Sequence, residues 1–254
     1  MADQRTFSDL KYKHSQERLQ PFKLELLKLL LREEKGRVLD IGCGSGVISQ
    51  RIKENDFSAI GIDISTEALS KYYALGLKGV VADIESYIPV KSGSFDIIWM
   101  SEVIEHVKDY EHLILETYRA LKSGGKLYVS APNSAFFIYR LLYLFGRSPS
   151  ELQHPHHVHF FSYRMLIETF KNRGFIIEKV FGQNIYGLIP ASAVKKLMKK
   201  SSRLARVVVK AIRAVGFRYS EGCIHDDKYI LSSFSKRACP FFSNTIMLVA
   251  RKPR

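Results

Sequence analysis

The chain has 254 residues, a formal net charge of +14 and three cysteines. Its length suits one large α/β domain or one domain with an insertion. Three scattered cysteines exclude a disulfide framework and a cysteine-based metal knuckle, so we expect a reducing, cytoplasmic compartment. The first residues carry no apolar signal region, and no apolar run approaches the ~20 residues that a membrane-spanning helix needs. Peripheral attachment to a membrane surface is the alternative to a purely cytoplasmic protein.

The N-terminal part of the chain is predicted to form a helical cap over residues 1–35. Its first fifteen residues are polar, and we expect them to be mobile. Residues 15–34 have a helical pattern, because Leu24, Leu27 and Leu30 recur at helical spacing. This segment includes Lys23, a basic residue on the polar side of the predicted helix.

The most informative stretch is residues 38–46, an apolar run that ends near Asp40 and is followed by Gly42, Gly44 and Gly46. The pattern predicts a buried parallel strand, a tight turn and a helix from Val47 to Lys53. A dinucleotide-binding turn needs glycine at position 47, so the valine there argues against a nicotinamide cofactor. A carboxylate beside the turn also disfavours a pyrophosphate and suits an ammonium group.

Strands and helices alternate after this turn. Strands are predicted over Phe57–Asp63, Lys78–Ala82, Phe95–Met100, Lys126–Ala131, Gly174–Phe181 and Thr245–Lys252, and helices over Thr66–Leu75, Asp109–Leu121 and Tyr163–Arg173. Three acids, Asp40, Asp63 and Asp83, lie at the ends of three successive strands. Because parallel strands end at the same edge of a sheet, these acids are expected to line one site. An acid at the second strand tip can accept both ribose hydroxyls of a nucleoside.

These motifs resemble those of the class I S-adenosylmethionine-dependent methyltransferases, and most closely the ubiquinone- and menaquinone-biosynthesis type that acts on small molecules. The resemblance implies an α/β fold with a Rossmann-like, seven-stranded, mostly parallel sheet and helices on both faces. Within a single methyltransferase domain, 1–254, the core covers 36–182 and 243–254, and a basic helical insertion covers 183–242, before the last strand. The resemblance assigns cofactor binding to Asp40, Gly42, Cys43, Gly44, Gly46, Asp63, Ile64, Asp83, Ile84, Ser101 and Lys23.

Chemistry is predicted for Glu102, Glu105 and His106, which share one face of a helical turn. Glu105 and His106 are the catalytic candidates, since a hydroxyl acceptor needs a general base or a metal ion. Their pattern, followed by a later histidine, resembles the metal site of small-RNA 2′-O-methyltransferases. We assign the hypothetical metal set as Glu102, Glu105, His106 and His157, although His154, His156 and His159 are equally placed by sequence. The alternative is a histidine that only borders the pocket.

Two further segments bear on the acceptor. Residues 136–145 are apolar on nearly every side, which suits a buried segment, a pocket wall or contact with a bilayer, and we favour burial. Residues 191–218 hold nine basic residues and no acid. Their apolar residues recur at helical spacing, so this part of the insertion is predicted to be a solvated helix or one that contacts an anionic membrane surface. Nucleic acid is a weaker candidate, because aromatic residues for base stacking are missing from 191–216.

The sequence therefore predicts an S-adenosylmethionine-dependent methyltransferase that acts on a small-molecule or lipid-like acceptor, at a hydroxyl oxygen. The first alternative is a divalent-metal-assisted RNA 2′-O-methyltransferase. The second is a cofactor-binding scaffold without catalysis.

Overall fold

The computed structural model describes residues 4–14, 19–154, 156–190, 218–219, 228–235 and 243–254. Its strands are β1 Arg37–Ile41, β2 Ser58–Asp63, β3 Lys78–Val81, β4 Phe95–Ser101, β5 Leu121–Pro132, β6 Ile176–Pro190, β7 Arg218–Tyr219, β8 Lys228–Ser235 and β9 Ser243–Arg251. Its helices are α1 Gln4–His14, α2 Pro21–Leu30, α3 Val47–Lys53, α4 Thr66–Ala74, α5 Tyr110–Ala120, α6 Phe137–Leu144, α7 Pro149–Leu152 and α8 Tyr163–Asn172. A 3₁₀ turn spans Ile104–His106.

The described strands form one sheet in the order β3-β2-β1-β4-β5-β9-β6-β8-β7. Strands β3, β2, β1, β4 and β5 pair in parallel, whereas β9 runs antiparallel between β5 and β6. This confirms the predicted seven-stranded, mostly parallel arrangement, which β8 and β7 extend at one edge.

The insertion differs from its prediction where it is described. We expected helix over 183–242, but 183–190 continue β6, and 228–235 pair with them as β8. The reason is the composition of these two segments, which favours a ladder between strands: 185–189 are Ile-Tyr-Gly-Leu-Ile and 229–231 are Tyr-Ile-Leu. The basic amphipathic pattern falls mainly on 191–217, which lie outside the described residues.

The sheet is buried on both faces because its central strands are apolar at nearly every position. In β1, Val38 packs with one core cluster and Leu39 with the other, as the alternation of side chains along a strand requires. Helices α2 and α3 cover the first face, and α5 and α8 cover the second. Each large side chain buried in this way contributes about 1.5–3 kcal/mol to folding.

Serine side chains cap the starts of two helices. The Oγ atom of Ser65 accepts a hydrogen bond of 3.0 Å from the Ala68 amide at the start of α4. Ser162 caps α8 in the same way, through the amide of Met165. These side chains satisfy amides that would otherwise lack a partner in the first turn.

The N-terminal prediction needs a correction, because residues 4–14 form helix α1 instead of a mobile tail. This helix is held by tertiary contacts. The carboxylate of Asp9 accepts a hydrogen bond of 2.6 Å from Ser65 Oγ and one of 3.2 Å from the Glu67 amide. Together with α2, it confirms a helical N-terminal segment.

The interpretation of residues 136–145 as a buried segment is wrong. Phe136 is buried, but none of the residues of α6 is. Leu144 is 81% exposed and Phe145 is 76% exposed. Within the described part of the chain, no helix has the length and apolar character needed to cross a membrane.

Candidate active site

The glycine turn between β1 and α3 is fixed against the end of β2. The amides of Gly42 and Cys43 both donate to the carbonyl of Ile62, over 2.8 and 3.1 Å. Gly42 has φ +69°, and a Cβ atom there would lie 2.4 Å from Cγ2 of Val103. Only glycine fits this position, since a side chain would meet both the backbone strain and the clash.

Two of the three acids at the strand tips, Asp63 and Asp83, line one cavity of about 400 Å³, whereas Asp40 does not. Asp63 accepts hydrogen bonds from the amides of Gly44 and Ser65, each of 2.9 Å. Asp83 accepts one of 2.9 Å from the Glu85 amide. Of the residues predicted to bind the cofactor, the cavity is lined by Lys23, Gly42, Asp63, Ile64, Asp83, Ile84 and Ser101.

The other predicted cofactor residues lie behind the cavity wall. Asp40 is buried and accepts a hydrogen bond of 2.7 Å from Ser49 Oγ in α3. Cys43 packs with Tyr72 and Leu77 in a small core cluster, as the turn requires. A Cβ atom on Gly46 would meet the same two side chains at 2.8 Å. With Gly44, these residues shape the turn, and their direct contact with a cofactor stays a prediction.

Glu102 and Lys23 lie on the same side of the cavity. Burial raises the pKa of Glu102, while the ammonium of Lys23 and a hydrogen bond of 3.0 Å from Ser130 Oγ favour its charged form. Glu102 also has φ +58°, a left-handed conformation that costs a non-glycine residue about 1–3 kcal/mol. Such strain is typical of functional sites, where the surrounding structure maintains it.

Glu105 is an acid that lines the cavity and is only 1% exposed. Among the described residues, neither of its carboxylate oxygens has a hydrogen-bond partner. Loss of water, followed by the neighbouring charge of Glu102, raises the pKa of Glu105 well above its ordinary value. A buried carboxyl group of this kind is a candidate for proton transfer or for binding a cation.

The two imidazoles next to Glu105 are held neutral. Burial lowers the pKa of His106 to about 4 and that of His157 to about 4. The Nδ1 atom of His106 donates to the carbonyl of His156 over 3.0 Å, and its ring centroid lies 4.8 Å from that of His157. One ligand atom each from Glu105, His106 and His157 lie within 4.8 Å of one another.

Backbone hydrogen bonds hold the loop that carries His154, His156, His157 and His159 against Glu105. The amides of Val158 and His159 donate to the carbonyl of Glu105, over 2.9 and 3.1 Å. His154, His156 and His157 line the cavity, whereas the His159 ring bonds the carbonyl of Lys108. Glu102 was predicted as a fourth metal ligand, but the structure leaves it outside the group of three in the described chain.

Helix α1 supplies lining residues that the sequence reasoning missed, namely Phe7, Ser8, Lys11 and Tyr12. The ring centroid of Phe7 lies 3.6 Å from that of His156. Burial is the main cause that lowers the pKa of His106 and His154, and the charge of Lys11 adds to it. The sequence gives one indication that these residues act together. Phe7 and Lys11, like Ser8 and Tyr12, are four residues apart, so each pair lies on one face of a helix.

Comparisons with known proteins concern the family and the fold of this chain. Residues 12–180 match the family described as methyltransferase domain. The ubiquinone biosynthesis O-methyltransferase of Xanthomonas oryzae pv. oryzae is 32% identical over 121 residues, which cover 45% of this chain and 51% of that protein. The chain thus spans about half the length of the curated relatives it matches.

Solved structures share the fold. A SAM-dependent methyltransferase from Methanosarcina mazei has a TM-score of 0.57 and 20% identity, over 93% of this chain and 99% of that one. One from Mesorhizobium loti has a TM-score of 0.57 and 16% identity, over 95% of this chain and 100% of that one. At these identities the likeness concerns the fold alone.

The fold and the glycine turn define a Rossmann-like protein of the class I methyltransferase type. Because the family match covers more than half of the 254 residues, the chain belongs to the methyltransferase domain family. The family predicted from the sequence is thereby confirmed.

Proposed function

We propose that this protein transfers the methyl group of S-adenosylmethionine to a hydroxyl oxygen of a small or lipid-like acceptor. The observation that carries the proposal is that one cavity is lined both by Asp63 and Asp83 and by the cluster of Glu105, His106 and His157. Groups suited to hold the donor and groups able to take up a proton therefore face the same space. The name of the Xanthomonas relative supports oxygen as the accepting atom.

On the donor side, the chain's residues bind and orient the cofactor. S-adenosylmethionine supplies an electrophilic methyl group on a sulfonium, and its thioether departs neutral. Lys23 is proposed to hold the cofactor carboxylate, Asp63 the ribose hydroxyls and Asp83 the adenine amine. Placement of the acceptor oxygen in line with the methyl group is the main task that remains for the protein.

On the acceptor side, His106 is proposed as the general base. Its pKa of about 4 keeps the ring neutral at physiological pH. Since Nδ1 donates to the His156 carbonyl, Nε2 is the proton-accepting atom of the neutral ring. Glu105 lies in the same cluster, and its raised pKa makes its carboxylate form a stronger base than an ordinary glutamate.

A divalent metal ion is a second candidate for activating the hydroxyl. Two neutral imidazoles and a carboxylate whose oxygens lack partners among the described residues form a donor set that fits Zn²⁺ or Mn²⁺ better than Mg²⁺. An ion bound by Glu105, His106 and His157 would lower the pKa of a nearby hydroxyl. This cluster is the observation that favours metal-assisted methylation, including the RNA 2′-O-methyltransferase alternative.

The proposal is tested by incubating the purified protein with isotope-labelled S-adenosylmethionine and separate lipid, small-metabolite and RNA fractions, with and without chelator. We expect label in the lipid or small-metabolite fraction. Label in RNA alone, lost on chelation, would replace the proposal with the RNA alternative. Tight cofactor binding without label in any fraction would support a non-catalytic scaffold.

A further inference from the structure

Helix α6 exposes an apolar surface that the proposed reaction does not use. Leu141, Leu144 and Phe145 are 53%, 81% and 76% exposed, and they lie near the C-terminal end of the helix. Gly146 follows with φ +77° and ends the helix. We refer to Leu141, Leu144 and Phe145 as the α6 tip. Exposed apolar side chains on a water-facing helix are normally scattered singly. Here three of them lie together, within the last turn of the helix and the residue that follows it.

The opposite side of α6 reaches the active site. The phenol of Tyr139 lies near Glu102, because both burial and the charge of that carboxylate raise the pKa of Tyr139. Tyr143 donates a hydrogen bond of 3.0 Å to the carbonyl of Ser134, and the buried ring of Phe136 packs edge to face on Tyr139. The helix therefore extends from the neighbourhood of Glu102, which lines the cavity, to the exposed α6 tip.

Two arginines flank the α6 tip along the chain, and one of them is paired with an acid. Residues 134–150 contain two arginines, Arg140 and Arg147, and no acid. Both arginines are exposed and lie on either side of the tip along the chain, and Arg147 also pairs with Glu151 over 2.7 Å. The whole chain carries a formal charge of +14. An apolar helix end flanked by arginines is complementary to a bilayer surface, where acyl chains lie beneath anionic phosphates.

We propose that the α6 tip docks on an anionic lipid bilayer, with Arg140 and Arg147 at the level of the phosphates. Docked in this way, α6 would place the cavity close to acceptors dissolved in the bilayer. That second part rests on the proposed function, whereas the docking itself does not.

The docking is tested with the full chain by co-sedimentation with vesicles of phosphatidylcholine alone or mixed with phosphatidylglycerol. We expect binding to the mixed vesicles, and a double variant, Leu144→Ser with Phe145→Ser, to lose at least about tenfold in affinity. Leu115→Ser is the matched control, since Leu115 is 49% exposed on α5. Failure of the wild-type chain to bind the mixed vesicles, or unchanged binding by the double variant, would overturn the proposal.

A second measurement distinguishes a bilayer from another protein segment as the partner of the α6 tip. After subtraction of the wild-type emission of the buried Trp99, the added indole of Leu144→Trp is expected to emit at the wavelength of an exposed indole and to shift to the blue on addition of mixed vesicles. A blue-shifted spectrum before vesicles are added would mean that another segment or a second copy covers the tip, which contradicts the proposal. Vesicle binding without methyl transfer to any fraction would overturn the proposed function and leave the docking intact.

Discussion

The backbone amide of Gly44 donates a hydrogen bond of 2.9 Å to the Oδ2 atom of Asp63, so the glycine turn and the second strand tip are joined directly. The same carboxylate faces the cavity. Asp63 thus holds the turn in place, and under the proposed function its remaining acceptor capacity serves the ribose of the cofactor. This pairing explains how two motifs separated in sequence form one binding surface.

Replacement of this carboxylate is expected to weaken cofactor binding. Asp63→Asn should raise the Kd for S-adenosylmethionine by about 10–100-fold, because hydrogen bonds to a charged group are worth about 1.5–3 kcal/mol. Isothermal titration calorimetry measures the change. Asp56→Asn is the control, since Asp56 is exposed and Asn tolerates its φ of +64°. Equal affinities for the two variants would refute the role of Asp63.

The glycine turn offers a second prediction. Gly42→Ala combines a φ of +69° with a Cβ contact of 2.4 Å to Val103, whereas Gly93→Ala has a φ of +59° and open space around it. Both variants lose stability through backbone strain, but Gly42→Ala should lose about 1–3 kcal/mol more through the clash. Chemical denaturation measures the difference. Similar losses would show that Val103 moves aside without cost.

Helix α1 is expected to slow release of the cofactor. Asp9 ties α1 to the start of α4 through Ser65 and Glu67, and side chains of α1 line the cavity. Asp9→Ala should speed dissociation of S-adenosylmethionine by about fivefold, the effect of losing one capping interaction. Stopped-flow displacement measures the rate, with Lys13→Ala on the exposed side of the same helix as control. An unchanged rate would mean that α1 does not retain the cofactor.

The lowered pKa of His157 predicts a pH dependence of stability. Between its ordinary pKa of 6.5 and its folded pKa of about 4, the unfolded chain binds a proton that the folded chain does not. Acid in this window therefore destabilises the wild type, by an amount on the order of 1 kcal/mol after allowance for solvent screening. The His157→Gln variant has no imidazole at this position, so it lacks this acid-dependent loss of stability.

Thermal unfolding with chelator present, from about pH 7 to about pH 4.5, checks the effect. The Tm of the wild type should fall relative to that of His157→Gln as the pH decreases. A constant difference between the two Tm values would contradict a His157 ring held neutral by burial.

Much of the fold was predictable because local patterns determine it. Helix α3 was predicted from Val47 to Lys53 and is observed with those bounds, since a glycine turn precedes it and its apolar residues recur at helical spacing. The acids at the strand tips follow from the same patterns. Parallel strands place Asp63 and Asp83 at one edge whatever the rest of the chain does.

The remaining features depend on contacts between distant residues. Helix α1 is secured by Asp9 and Ser65, which are 56 positions apart. His157 was one of four equivalent histidines, and only the tertiary structure shows that His154, His156 and His157 line the cavity whereas the His159 ring bonds the Lys108 carbonyl. The composition of α6 fits a buried helix as well as an exposed one, so only the tertiary structure distinguishes them.

The most direct test of the central claim is the atom that receives the methyl group, and whether His106 is needed for the transfer. Nuclear magnetic resonance of the product formed from S-adenosylmethionine with an isotope-labelled methyl group identifies that atom. We expect a methoxy signal, and for His106→Ala a kcat lower by about 10²–10⁴-fold with little change in cofactor affinity. His112→Ala, outside the cavity, should behave as the wild type. A methyl group on nitrogen, carbon or sulfur, or full activity of His106→Ala, would contradict the account.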